Sequence, residues 1–337
     1  MWLDKVPGFY SPVINAFSSA AKFGFFGVQL FFAISGYILS EPLWNNNKFS
    51  YGRYLLRRVS RIEPPFFICV ILFTLMLHYI GGVGFHNLEK EFFTTIFYVH
   101  NIVVPQHFST ICGVSWSLEI EVQFYLLIPL IIILLKKAKP TLAIMLVLFL
   151  VFYIIMELLN SPIYSLINYI NYFWIGVIVS YLKRGYTGSK LKLYFPGANF
   201  ILIGLIFYGV YGLSVTSGVF NQVIQWVNYA LLFLLFYNVM VLEKGIKFLS
   251  LTLVSTIGGM CYTIYLIHYT IINIGGYFLL KKIQSHLSVP MFFGAAIILL
   301  TASVAISACL FLVIEKPFMV REWYRYGFRR RENTSKK

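Results

Sequence analysis

Nine long apolar runs dominate this sequence, at roughly 23–40, 62–82, 114–135, 140–158, 167–182, 199–213, 222–242, 255–280 and 290–314. About 20 apolar residues in helical form cross the hydrocarbon of a bilayer. Lipid offers no water to bond a backbone, so helices are what such runs must form. The expected fold is therefore all-α, a polytopic transmembrane helical bundle of about nine membrane helices. The run at 199–213 is short. The run at 255–280 is long enough to tilt or break at Gly258-Gly259 or Gly275-Gly276. Composition agrees: 59% of the residues are hydrophobic and 12% charged, about half the charge of a soluble domain. A soluble fold would bury such a core but could not cover it. With no internal repeat, soluble domain or linker in view, residues 1–337 read as one integral-membrane domain with a short basic tail from about 316.

The net charge of +15 would point to nucleic acid in a soluble protein. Here the lysines and arginines sit in short segments between apolar runs, the pattern that sets membrane orientation. With the loop 41–61 inside and strict alternation from there, 22 of the 27 cations fall on the cytoplasmic side, the tail included; Lys5, Lys22, Lys90, Lys281 and Lys282 fall outside. The carboxy terminus is thus expected in the cytoplasm, and nucleic acid is excluded as a partner. The same count puts Met1 outside, with no cleavable signal to carry it there: either the count of helices is off by one or a helix that normally precedes Met1 is missing. Cys69, Cys112, Cys261 and Cys309 share no metal-ligand spacing; they read as small hydrophobes, and no metal is expected.

Ionisable groups inside hydrocarbon are costly and mark function by default. Ser117, Glu121 and Tyr125 recur every four residues and share one helix face; Glu119 points elsewhere. Counted along straight helices, Glu121 lies about 10 Å below the outer surface and His268 about 20 Å up from the inner one. That sets a carboxylate and an imidazole at similar depth, a candidate pair for proton transfer or a buried structural hydrogen bond. Arg53, Arg57 and Arg61 are likewise spaced by four and, with Arg58, form a basic stripe at the cytoplasmic surface. The stripe suits the phosphates of a donor such as coenzyme A, or simply signals topology and snorkels to headgroups. Ser35-Gly36 lies deep in the first run, where small residues mean close helix packing; no base stands near Ser35 in the sequence. Glu315 is placed either to pair with the arginine stripe or to act as an ordinary interfacial carboxylate. His78, His86, His100, His107 and His286 read as loop residues near or beyond the outer surface.

Five segments taken together resemble the acyltransferase-3 family of membrane acyltransferases, in family order and over nearly the full chain. They are Phe31-Phe32-Ala33-Ile34-Ser35-Gly36-Tyr37, Arg57-Arg58-Val59-Ser60-Arg61-Ile62-Glu63-Pro64, Trp116-Ser117-Leu118 with Glu121 and Phe124-Tyr125, Tyr265-Leu266-Ile267-His268, and Glu315-Lys316-Pro317. The resemblance implies a bundle with one helix more than is counted here. It also implies transfer of an acyl group, often acetyl, from cytosolic acyl-coenzyme A to a hydroxyl of an envelope glycan, glycolipid or secreted molecule. No bound cofactor is implied, acyl-CoA being a substrate. Carried over by position, Arg57, Arg58 and Arg61 hold the donor, and Glu121 and His268 are the candidate catalytic groups. Ser35, Gly36, Trp116, Ser117, Tyr125, Tyr265 and Glu315 shape the site. The expected location is a bacterial inner membrane. Family members usually open with a further helix bearing an arginine or lysine and then a histidine proposed as base. Neither is present here, and the chain is expected to begin in the outer loop after that helix. Two competing readings stand: a glycan or lipid transporter or flippase, and a catalytically inactive truncated member.

Overall fold

The computed structural model describes residues 24, 26–45, 49–105, 107–138, 140–161, 163–185, 197–215, 217–244, 247–283 and 288–319. In chain order the helices are α1 (Phe26–Asn45), α2 (Tyr51–Tyr79), α3 (Phe85–Ile96), α4 (Ser115–Ala138), α5 (Leu142–Leu159), α6 (Leu166–Gly185), α7 (Ala198–Val215), α8 (Val219–Phe236), α9 (Thr252–Gly259), α10 (Cys261–Ile283) and α11 (Val289–Leu310). Single π-helical segments, Tyr237–Val241 and Phe311–Glu315, continue α8 and α11. No strand occurs among the described residues. The chain is an all-α integral membrane protein.

Among the described residues every apolar run is largely helical, yet by length and apolarity six helices qualify to cross a membrane, or up to seven when α9 and α10 are taken as one span. The count of nine is not reached, and the reasons are physical. α6 is 20 residues long, but residues 171–180 are all buried. It meets protein rather than lipid and so carries Asn171, Tyr172 and Ser180 where a lipid-facing helix would be apolar. The apolar part of α7, Ala198–Gly209, is short. α5 is the opposite case: most of its side chains, Leu146, Val147, Leu150 and Ile154 among them, face outward. α9 and α10 meet at a 75° bend. The break falls just after Gly258-Gly259, and α10 runs on unbroken through Gly275-Gly276.

α1 and α6 make the closest helix pair. A Cβ on Gly36 would lie 2.0 Å from the Phe173 carbonyl oxygen, and one on Gly176 would lie 2.0 Å from that of Ala33. Only glycine admits that approach, the small-residue packing that serves membrane helices in place of a hydrophobic drive. Further along the same seam Ser40 and Ser180 are hydrogen bonded at 2.6 Å, and Trp44 Nε1 donates to Ser180 Oγ at 3.0 Å. At the end of α6, Lys183 Nζ donates to the Met240 carbonyl and to Glu243 Oε1, both at 2.8 Å. That bond holds the exposed Glu243 carboxyl below its ordinary range.

The segment between α2 and α4 is not the surface loop that the sequence implied. The ring of Phe85 stacks on His78 at 3.7 Å, and that of Tyr98 stacks on Phe66 at 4.8 Å. α3 therefore runs back along α2, antiparallel, and its tip reaches a point twelve residues below His78, about 18 Å deeper along the axis. The chain then forms the short helical turn His100–Val103 and climbs back to α4. This re-entrant hairpin buries His100, which is 1% exposed. Its ring Nε2 faces Glu91 Oε2 at 3.1 Å, and the same oxygen accepts from the Thr110 amide at 3.0 Å. The expectation of a superficial His100 is thus corrected: hydropathy cannot register a short amphipathic helix that enters and leaves on one side. Of the cysteines, Cys69 and Cys112 are buried as expected, whereas Cys261 and Cys309 are exposed.

Candidate active site

Two apolar cores flank α4. One gathers α1, α4, α5, α6 and α8 around Phe32, Phe124 and Phe173; the other gathers α2, the re-entrant hairpin and α10 around Phe66, Leu118 and Leu266. The polar face of α4 lies in the seam between them. Ser117, Glu121 and Tyr125 share it, and all three are buried.

Glu121 is the centre of the cluster. Ser35 Oγ donates to Glu121 Oε1 at 2.6 Å, and the Tyr125 hydroxyl stands beside the same carboxylate. The sequence offers Ser35 no local base; the fold brings one from 86 positions away. A hydroxyl and a carboxylate at this distance have the geometry for proton transfer between them. Gly36, next to Ser35, is what lets α1 lie against α6 and fixes where Ser35 points. Arg58 and Arg61 lie within electrostatic reach of Glu121. Arg58 is also set 5.9 Å over the ring of Tyr54. Arg57 and Arg61 are exposed, and Arg57 Nε bonds the Arg53 carbonyl one turn back. The four arginines sit in the first turns of α2, so the stripe read from their spacing does lie on a helix. Cys261, exposed at the start of α10, is in electrostatic contact with Arg61, Glu121 and Glu315, which marks an opening of the cluster beside the arginines.

Ser117 and Tyr265 tie α4 to α10 through a 2.6 Å hydrogen bond. Tyr265 also stacks on Phe31 of α1, with ring centroids 6.2 Å apart. Trp116 packs edge-on to Phe32 at 6.4 Å and lies against Tyr169 at 5.6 Å and Tyr164 at 5.5 Å. Glu315 is fully buried in the π segment that ends α11 and accepts a hydrogen bond from Thr263 Oγ1. No ion pair joins it to the arginines among the described residues; the threonine takes that place.

His268 and Glu121 stand on different levels. Tyr265 is opposite Ser117, and Tyr269 lies against Gly113, so α10 runs antiparallel to α4. From that crossing His268 is three residues toward one end and Glu121 four residues toward the other, a separation of about 10 Å along the axes. The His268 ring Nδ1 meets the carbonyl oxygens of its own helix, Tyr265 at 2.8 Å and Ile264 at 3.1 Å. The equal depths expected from the sequence assumed that α4 starts at the outer surface; its first turns instead lie beside the tip of the hairpin, where Asn101 bonds Glu119 and the Trp116 carbonyl, so Glu121 sits deeper than counted.

Glu63, Tyr98 and Tyr262 were not singled out in the sequence. Glu63 accepts from the Tyr98 hydroxyl at 2.8 Å, and Tyr262 donates to the Ile62 carbonyl at 2.8 Å. Glu119, which does point away from Glu121, is fully buried and accepts from the Asn101 amide at 2.8 Å. A carboxylate within an apolar run is the signal that marked Glu119 and was available for Glu63; nothing local marks Tyr98.

Comparison with known proteins fits this architecture. The family model described as an acyltransferase domain, that of the acyltransferase-3 family, matches residues 5–312, and the chain belongs to that family. It is 29% identical over 342 residues to the O-acetyltransferase OatA of Staphylococcus aureus, an alignment covering 90% of this chain and 54% of that protein. It is also 29% identical over 132 residues to the peptidoglycan O-acetyltransferase OatA of Listeria monocytogenes, covering 35% of this chain and 21% of that one. This chain thus spans about half the length of the staphylococcal relative. No solved structure matches.

Proposed function

We propose that the chain is a membrane O-acyltransferase that moves an acetyl group from cytosolic acetyl-CoA to a hydroxyl of an envelope glycan. The observation that carries this reading is the buried Ser35–Glu121 pair, at 2.6 Å, with Arg58 and Arg61 in reach. In it the arginines, at the end of the bundle expected to face the cytosol, pair with the donor's phosphates. Glu121 accepts the proton of the acceptor hydroxyl as its oxygen attacks the thioester carbon. The carbon–oxygen bond forms, the carbon–sulfur bond breaks, and the proton passes on to the departing thiolate. Ser35 orients the carboxylate, and Tyr125 closes the site on its other side. The names of the relatives, one of them a peptidoglycan O-acetyltransferase, favour the peptidoglycan as acceptor. The cation count favours a carboxy terminus inside, and the bacterial relatives favour a plasma-membrane location.

The test compares base-labile O-acetyl content of the envelope glycans, by NMR, in three strains. One is deleted for this gene, one is restored with it, and one is restored with its Glu121→Gln form. Ester is expected to vanish on deletion, to return with the unaltered chain, and to stay absent with Glu121→Gln although that protein inserts normally. Full ester with Glu121→Gln sinks the assigned role of Glu121. Ester unaffected by deletion sinks the glycan acceptor.

A further inference from the structure

Resting on the acyl-transfer reading above, we infer that Tyr98 is a specificity-determining residue: its ring forms the wall that limits the transferred acyl group to a short chain. The ring is fixed on three sides. It is stacked on Phe66, with centroids 4.8 Å apart and planes 19° off parallel. Its hydroxyl donates to Glu63 Oε2 at 2.8 Å. Its backbone sits at a φ of 56°, the left-handed region that bulky side chains rarely adopt. A glycine or asparagine would reverse the chain there without strain. A tyrosine held in that conformation indicates that the ring itself is needed at the place the turn sends it.

That place adjoins the reacting centre. Tyr98 and Tyr262 pack against the same core as Leu118, which lies one turn before Glu121 on α4. Tyr262 is held over the same stretch of α2 by its bond to the Ile62 carbonyl. A donor entering beside Arg58 and Arg61 approaches along α2, and Phe66 with its stacked Tyr98 lies five residues beyond Arg61, about 7.5 Å farther on. The acyl carbon at Glu121 therefore has the Tyr98–Phe66 pair ahead of it. Behind the pair lies packed core, Cys69, Cys112 and Leu118, all buried. On this reading an acetyl group stops short of the wall and added methylenes run into the ring. The Glu63 bond uses only the hydroxyl, so the wall is made by ring volume and its orientation by the hydrogen bond.

The experiment uses the full chain in proteoliposomes, with soluble peptidoglycan glycan strands as acceptor and acetyl-, propionyl- and butyryl-CoA as donors. A methylene too many in a fitted pocket discriminates by about 10–200-fold. Wild type is thus expected to prefer acetyl over butyryl in kcat/KM by at least about tenfold. Tyr98→Phe keeps the ring and is expected to keep that ratio. Tyr98→Ala removes the wall, and its ratio is expected to fall at least about tenfold. An unchanged ratio in Tyr98→Ala, with acetyl transfer persisting, overturns the inference. So does loss of transfer from every donor in Tyr98→Ala while Tyr98→Phe stays active, because removing a wall widens the site without disabling it. If wild type transfers from none of the three donors, the underlying acyl-transfer reading fails instead, and the inference falls with it.

Discussion

Replacing Gly36 with alanine tests the link from helix packing to chemistry. The added Cβ would fall 2.0 Å from the Phe173 oxygen and 2.8 Å from its carbonyl carbon. A carbon sits comfortably about 3.3–3.6 Å from a carbonyl oxygen, so α1 and α6 must part by more than about 1 Å at this level. The obstacle is backbone and cannot swing aside. Overpacking of this kind costs about 1–3 kcal/mol. At about 2–4 °C per kcal/mol for domains somewhat smaller than this one, the unfolding midpoint should drop by on the order of 5 °C. Ser35 moves with Gly36, and a shift of that size breaks its 2.6 Å bond to Glu121. Misplacement by about 1 Å in an active site is worth about a hundredfold in rate. Thermal unfolding followed by tryptophan fluorescence, together with ester transfer in proteoliposomes, reads both effects. Gly204→Ala is the control, because nothing lies within 4 Å of its Cβ position. A Gly36→Ala protein with unchanged midpoint and unchanged transfer would refute the claim that this contact sets the site.

Two further outcomes follow from the same geometry. Arg61→Gln, at the exposed mouth of the cluster, is expected to raise KM for the acyl donor several-fold while leaving kcat nearly intact; a change confined to kcat would remove the arginine from donor binding. Thr263→Val strips buried Glu315 of its hydrogen-bond donor, and Glu315 Oε1 already lacks one among the described residues. A loss of about 1–3 kcal/mol is expected, measured as a lower unfolding midpoint, and an unchanged midpoint would show that the bond contributes nothing.

Much of this molecule was legible because lipid imposes simple rules. Periods of four put Ser117, Glu121 and Tyr125 on one face, and that face is buried. Ser35-Gly36 signalled close packing, and Gly36 abuts the α6 backbone. Partnerships across helices were not legible. Ser35 meets Glu121, Thr263 meets Glu315, and Tyr98 meets Glu63 through tertiary contacts that no spacing encodes. α6 was legible as the run 167–182 although it is shielded from lipid and carries Asn171, Tyr172 and Ser180 among its buried residues. The pairing of His268 with Glu121 misled because depth was counted from the outer surface, and α4 begins beside the tip of the hairpin.

The re-entrant hairpin has a consequence for orientation. A segment that enters the membrane and returns to the same side contributes nothing to the parity of crossings. The sides assigned to the lysines and arginines elsewhere in the chain are therefore the same whether the hairpin is present or not. The crossings fix which way the bundle faces, while the hairpin, which carries the proposed wall residue Tyr98, adds no crossing of its own. This stretch can change its side chains, and with them what the chamber admits, without any risk of turning the protein over.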